Sequence, residues 1–274
     1  MNKEERARVT SILDSLESVV VGYSGGVDSV LLAKLAVDTL GPGRALAVTG
    51  RSASVPSWSY RSAREVAERF GVPWLEFDTD ELADPRYAAN PANRCYFCKS
   101  ELWGKLAALA RKHGYAAVVD GTNADDAGDH RPGALAAREH GVRSPFLEAG
   151  LGKQSIRDWS RELGLPTWDQ PASPCLASRI PYGTPVTPGR LRRVERAEEG
   201  LRALGLREVR VRYHGATARV ELGARELRAH RLRPEIESAV RAAGFERVEI
   251  DARGYRRGSL NQGLAAHQLV HIGA

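Results

Sequence analysis

The 274-residue chain is 42% hydrophobic and 27% charged, the balance of a soluble globular protein with one large domain or two modest ones. No apolar run approaches the ~20 residues that cross a bilayer, and the charged residues 1–6 lead into no apolar signal core, so a cytoplasmic protein is expected. A net charge of +6 suits RNA and phosphate-rich small molecules alike, and three cysteines are an odd count that argues against a disulfide framework.

In chain order, the first two-thirds alternate strand and helix signals. A strand over 18–21 runs through Ser24-Gly25-Gly26-Val27-Asp28-Ser29 into a helix over 29–40. Paired glycines let the backbone approach an anion, and the N–H groups of a new helix point at it. Ser24 and Ser29 add hydroxyls, and Asp28 adds a carboxylate able to hold Mg²⁺. The loop lacks the lysine and spacing of a Walker A loop. Next come a strand over 45–48, the turn Thr49-Gly50-Arg51-Ser52, a helix over 57–70 and a strand over 74–77. Arg94-Cys95-Tyr96-Phe97-Cys98-Lys99 leads into a helix over 97–112, followed by a strand over 116–119. Helices over 132–139 and 153–163 flank a strand over 144–147. Continuous apolar strands between amphipathic helices predict an α/β fold, a parallel doubly wound sheet covered on both faces, over residues 1–185. Ligands then bind beyond the carboxyl ends of the strands.

The pattern changes near Pro181-Tyr182-Gly183-Thr184-Pro185. A helix over 187–204 precedes strands over 208–213 and 218–222, whose alternation predicts a hairpin with one wet face. Helical stretches over 224–230 and 234–243 and a strand over 247–251 complete a small α+β domain, residues 186–274. The residues after Asn261 are expected to be poorly ordered.

Three further stretches carry chemistry. The segment from Asp120-Gly121-Thr122-Asn123-Ala124-Asp125-Asp126 to Asp129-His130-Arg131-Pro132-Gly133 is rich in acids. Its carboxylates suit Mg²⁺ or ribose hydroxyls and Arg131 suits a phosphate, unless it is only a capping loop for the helix after it. Cys95, Cys98 and Cys175 reach one metal only if the fold brings Cys175 to the other two. Spacing leaves zinc, with His130 as the extra ligand, and an iron–sulfur cluster equally open. Arg179, four residues after Cys175, is placed to hold a phosphate near the sulfur. Arg210 and Arg212 share a strand face and, with Arg219 and Glu221, predict a polar patch.

Ser24–Ser29 resembles the SGGxDS loop of the PP-loop ATP pyrophosphatases, the adenine nucleotide alpha hydrolase-like enzymes that split ATP between the α and β phosphates. Together with Arg94–Lys99, the Gly121–Asp126 and Arg131–Gly133 strings and Pro174-Cys175-Leu176-Ala177-Ser178-Arg179-Ile180-Pro181-Tyr182-Gly183, the chain resembles LarE, the PP-loop sulfur transferases of nickel-pincer nucleotide biosynthesis, over about residues 10–250. The resemblance implies ATP with Mg²⁺ at Ser24, Gly25, Gly26, Asp28, Ser29, Gly121, Thr122, Asp125, Arg131 and Ser178. It implies catalytic roles for Asp28, Cys175 and Arg179, and substrate phosphate at Arg210 and Arg212. The substrate would be pyridinium-3,5-biscarboxylic acid mononucleotide, its carboxylates adenylated and converted to thiocarboxylates. Some members give up the sulfur of the cysteine matching Cys175. The presence of Cys95 and Cys98 resembles the three-cysteine branch, for which the resemblance implies a [4Fe–4S] cluster held by Cys95, Cys98 and Cys175 and fed by a sulfide source. Homo-oligomers, trimers or hexamers, are implied as well; neither a membrane nor a nucleic acid is an expected partner. Two alternatives stand beside this reading: an iron–sulfur PP-loop tRNA thiolation enzyme, and a zinc-stabilised nucleotide-binding module without catalysis.

Overall fold

Val19-Val20-Val21 is apolar at every position because both faces of its strand are covered. In the computed structural model, which describes residues 3–126, 132–228, 232–256 and Leu260, this is β1 (Val19–Gly22), between α1 (Lys3–Ser15) and α2 (Val27–Leu40). It is followed by β2 (Ala45–Arg51), α3 (Ser57–Arg69), β3 (Trp74–Asp78), α4 (Pro85–Ala88), α5 (Arg94–His113) and β4 (Ala117–Val119). The four strands are parallel, in the order β3-β2-β1-β4. Strand order reverses between β1 and β4, so the crevice at their carboxyl ends is the switch point where such sheets bind ligands. Val19 and Val21 face a core with α1, α2 and α3, while Val20 faces Trp103, Leu106 and Ala110 of α5. No described helix is long and apolar enough to cross a membrane.

The expected fifth strand over 144–147 is a short helix. After α6 (Pro132–Glu139), Pro145 opens α7 (Pro145–Glu148) and is followed by α8 (Lys153–Glu162). Proline lacks the N–H that a central strand needs and has the φ of a first helical residue. A parallel bridge, Val119 to Arg143, falls one residue before the expected strand.

Beyond a 3₁₀ turn at Leu176–Arg179 come α9 (Pro188–Ala203), β5 (Val209–His214), β6 (Thr217–Leu222), α10 (Arg233–Ala242) and β7 (Arg247–Ile250). β5 pairs antiparallel with β6, and β6 pairs parallel with β7. α9 and α10 cover this sheet through Leu191, Val194, Leu201, Ile236 and Val240. In the described part of the expected helix over 224–230 there is a 3₁₀ turn, Glu226–Arg228. The hairpin has no wet face: Arg210, Arg212 and Glu221 are all buried. The tail after Asn261 lies outside the described residues.

Candidate active site

The Ser24–Ser29 loop joins β1 to α2 at the switch point. Gly25 has φ +73°, and a Cβ on it would stand 2.7 Å from Ala63 Cβ of α3, so only glycine fits this bend. Gly26 caps α2 without any side-chain hydrogen bond, leaving the first-turn amides of a 14-residue helix open to an anion. Ser29 Oγ accepts from the Ser24 N–H at 3.2 Å and donates to the Gly26 carbonyl at 3.1 Å, which sets the curve of the loop.

Across the switch point, the loop after β4 presses against it. A Cβ on Gly121 would stand 2.9 Å from Asp28 Cβ and 3.1 Å from the Ser29 nitrogen. Asn123 Nδ2 donates to Asp28 Oδ1 at 3.3 Å, and Lys153 Nζ reaches the two Asp28 oxygens at 2.7 and 2.5 Å. Lys153, first residue of α8, is a cation at the phosphate loop that the sequence reading missed. Its signal was a lysine at the start of a helix, directly after Gly150-Leu151-Gly152. The acids of the 120–126 segment are occupied. Asp120 accepts from Thr122 and Ser144, Asp126 from the Asn123 N–H, and Asp125 from the Lys153 N–H at the head of α8. Within the described residues 120–126, the helix head this loop bonds to is that of α8. Thr122 Oγ1 is spent on Asp120. His130 and Arg131 lie outside the described residues. The expected turn over Thr49–Ser52 is mostly strand, since β2 runs on to Arg51; Thr49 is buried there and links Tyr23 O to the Trp74 indole. Arg51 is exposed and paired with Asp78.

The three cysteines come together from distant parts of the chain. Cys95 and Cys98 lie in the first turn of α5, one turn earlier than the expected helix start, and Cys175 precedes the 3₁₀ turn Leu176–Arg179. Cys98 and Cys175 both pack on the apolar cluster around Tyr87. The Cys95 and Cys175 thiols both act on Cys98, whose own thiol is pushed well up, first by burial. Tyr182 feels Cys95 and Cys175.

Two polar anchors make this convergence. The buried Asn90 donates to the carbonyls of Pro181 and Thr184, each at 2.8 Å, and accepts from Arg94 at 2.5 Å. The Arg94 guanidinium in turn lies 4.9 Å over the Tyr182 ring. Ser54, just beyond β2, accepts from the Leu176 N–H at 2.6 Å and shares a 2.7 Å hydrogen bond with the Tyr87 hydroxyl. The cysteines are thereby fixed at the same carboxyl edge of the sheet as the phosphate loop. Among the described residues, no group of three or more His, Cys, Asp or Glu is already drawn tightly enough to hold a metal ion. A lone zinc would gather its sulfurs to about 2.3 Å of one point. Cysteine thiolates are the donors that iron–sulfur clusters take, and the three cysteines are of that type.

The arginines of this region are not where the sequence placed them. Arg179 is 0% exposed and forks onto Glu198, with Nε and Nη2 at 2.8 and 2.9 Å from its two oxygens. Its Nη1 donates to the carbonyls of Pro174 (2.5 Å) and Cys175 (3.0 Å) and to Ser178 Oγ (2.9 Å). Every direction of the fork is filled, so Arg179 shapes the Cys175 loop and is not free for a phosphate. Arg212 pairs with Glu221 at 2.7 Å and donates to the Ser178 carbonyl at 2.9 Å. The expected Arg210–Arg212 surface patch is thus a buried lattice that ties β5 to the Cys175 turn. Glu198 was missed; its signal was an acid on the apolar stripe Leu191, Val194, Leu201 of α9.

Residues 8–92, the phosphate loop included, match the NAD synthase family. Over 66 residues, 24% of this chain, it is 41% identical to an NH(3)-dependent NAD(+) synthetase of Pyrobaculum aerophilum. Two relatives cover nearly the whole length. An uncharacterized protein of Synechocystis is 45% identical over 91% of this chain and 94% of its own. The pyridinium-3,5-bisthiocarboxylic acid mononucleotide synthase of Lactiplantibacillus plantarum is 35% identical over 97% of both chains.

Proposed function

Since the chain belongs to the LarE family of PP-loop sulfur transferases, we propose that it activates the carboxylates of a pyridinium mononucleotide with ATP and replaces an oxygen of each with sulfur. The convergence of three thiols on the sheet edge that carries the phosphate loop supports this reading above all.

A carboxylate does not exchange its oxygen directly, because oxide would have to leave. The carboxylate oxygen attacks the α-phosphorus of ATP, the α–β bond breaks, and pyrophosphate departs. Sulfide then adds to the acyl carbon, the bond to AMP breaks, and a thiocarboxylate and AMP remain. The open amides of α2 and the Ser24 and Ser29 hydroxyls receive the polyphosphate. Asp28 and Lys153 face each other at 2.5 Å beside that site. The Asp28 carboxylate would hold Mg²⁺, which would supply charge neutralisation of the polyphosphate, and the Lys153 ammonium neutralises the leaving pyrophosphate. Gly121 and Asn123 hold Asp28 in this position. The acyl adenylate is at risk from water, and the apolar Tyr87 cluster on which Cys98 and Cys175 pack forms a dry wall beside the thiols.

Cys95, Cys98 and Cys175 are the residues that would hold a [4Fe–4S] cluster, which supplies inorganic sulfide to the reaction when bound. Purified protein given ATP, Mg²⁺, sulfide and pyridinium-3,5-biscarboxylic acid mononucleotide should release AMP and pyrophosphate and form thiocarboxylate over several turnovers, its intact mass unchanged. Release of ADP and orthophosphate would sink the activation step. Arrest after one sulfur per chain, with loss of H₂S mass at Cys175, would replace the cluster with sacrificial donation.

A further inference from the structure

α3 starts without a cap of its own. The residue ahead of it is Pro56, which has no side-chain oxygen to offer the first-turn amides. The acceptors come from α9 instead. Glu195 Oε1 accepts from the Ser57 N–H at 2.7 Å, and Glu199 Oε1 accepts from the Ser57 hydroxyl at 3.0 Å. One turn apart on a helix, two carboxylates repel each other. Here both lie at the positive end of α3, where negative charge is favourable. The Arg202 guanidinium, from the next turn of α9, lies 4.2 Å over the Trp58 ring. α9 therefore grips the first two residues of α3. Glu198, on the same turn of α9 as the two acids, grips Arg179 and through it the Cys175 carbonyl.

α3 in turn backs the phosphate loop. Tyr23, just before the loop, donates from its hydroxyl to the Ala63 carbonyl at 3.2 Å. Within the loop, a Cβ on Gly25 would stand 3.0 Å from the Ala63 Cα as well as 2.7 Å from its Cβ. Ala63 meets the loop with its backbone and one methyl, which leaves nothing flexible to absorb a shift. From Ser57 to Ala63 is ~9 Å of continuous helix. The connector ahead of Ser57 reaches the thiols as well, since Ser54 accepts from the Leu176 N–H beside Cys175.

We propose that Glu195 and Glu199 are positioning residues for the ATP step: by tying the head of α3 to α9 they fix the Ser24–Ser29 loop relative to the Cys175 turn. Both act through Ser57 and Ala63. The proposal rests on the ATP-dependent reaction proposed above. The loop receives the polyphosphate before any bond breaks, so a displaced loop costs ATP affinity and raises KM more than it lowers kcat.

The variant Glu195→Ala/Glu199→Ala should bind ATP at least fivefold more weakly by calorimetry. KM for ATP in pyrophosphate release should rise by the same factor, with kcat within twofold. The amides of residues 23–29 should exchange faster with deuterium, and iron content after anaerobic reconstitution should not change. Pro56→Asp added to this variant separates positioning from helix stabilisation, because it gives α3 a local cap but no tie to α9. It should restore the melting point and leave ATP affinity low. Recovery of both would show that the acids only stabilise the helix, and would overturn the proposal. Wild-type ATP affinity in the double variant would overturn it too. If that variant does not fold, Glu195→Gln and Glu199→Gln keep an acceptor oxygen and lose the charge; each should weaken ATP at least twofold, and unchanged affinity in both overturns the proposal. Wild-type protein that binds ATP but releases no pyrophosphate would overturn the reaction, while the calorimetric comparison would still judge the two acids.

Discussion

Replacing Arg179 with methionine removes the centre of the buried lattice beneath Cys175. The wild-type side chain makes two buried hydrogen bonds to Glu198 and three part-buried ones to Pro174, Cys175 and Ser178. The variant keeps most of the volume but strands the Glu198 carboxylate, itself 2% exposed. Breaking one partner of a buried pair costs about 3–5 kcal/mol, because the other charge is left uncompensated. In a protein of this size that corresponds to a melting point lower by on the order of 10 °C. Glu198→Gln should cost a similar amount for the mirror-image reason. The double variant, with neither charge buried, should lose less than the sum of the two single losses, by a coupling energy of about 2 kcal/mol. Urea unfolding followed by circular dichroism on all four proteins measures the cycle. Limited proteolysis adds a local readout: the 170–175 segment, freed of its carbonyl anchors, should become the first site cut in Arg179→Met. Strictly additive losses, or a single-variant cost under about 1 kcal/mol, would show that the pair is not the anchor claimed for it.

Lys153→Ala should cut pyrophosphate release at least tenfold while hardly changing the melting point, since a part-exposed pair such as Lys153–Asp28 contributes only ~1 kcal/mol; activity within twofold of wild type removes Lys153 from the phosphate site. Gly25→Ala puts a methyl 2.7 Å from Ala63 Cβ at φ +73° and should cost ~2–4 kcal/mol and most ATP binding, whereas unchanged affinity by calorimetry would mean the loop need not keep this shape. Cys95→Ser, Cys98→Ser and Cys175→Ser should each abolish the same iron content and the same visible absorbance after anaerobic reconstitution; full iron in Cys175→Ser excludes a shared centre. Burial pushes the Glu198 carboxyl up, but the Arg179 charge and hydrogen bonds outweigh it and hold it below the ordinary 4.5. The unfolded chain therefore takes up this proton first, so the pair's stabilisation is present above pH ~4.5 and is lost as pH falls through the lower folded value. Thermal melts should be flat on this account from pH 7 to 5 and fall below 4.5, and a melting point held constant down to pH 3.5 contradicts it.

The sequence by itself determined the core and the phosphate loop. Val19–Val21 and Ala45–Val48 are apolar at every residue, which requires cover on both faces, and Ser24–Ser29 sits between a strand and a helix where only a glycine bend fits. These features rest on contacts among near neighbours in the chain, so composition and spacing expose them. Pro145 was legible too, yet the apolar residues around it concealed that a proline there starts a helix. Only the tertiary structure decided what the charged residues do. Arg179, Arg210 and Arg212 read as free cations because a strand or turn carries no record of Glu198, nineteen residues from Arg179, or of the carbonyls between Ala172 and Ser178 to which the three donate. The meeting of Cys175 with Cys95 and Cys98 depends on Asn90, Arg94 and Ser54 bonding to backbone atoms, which every residue has and which leave no mark in sequence. Lys153 reached Asp28 by the same route, across 125 residues. Long-range polar contacts are chosen by three-dimensional proximity, and for that reason the chemistry of this site was spelled by the sequence but arranged by the fold.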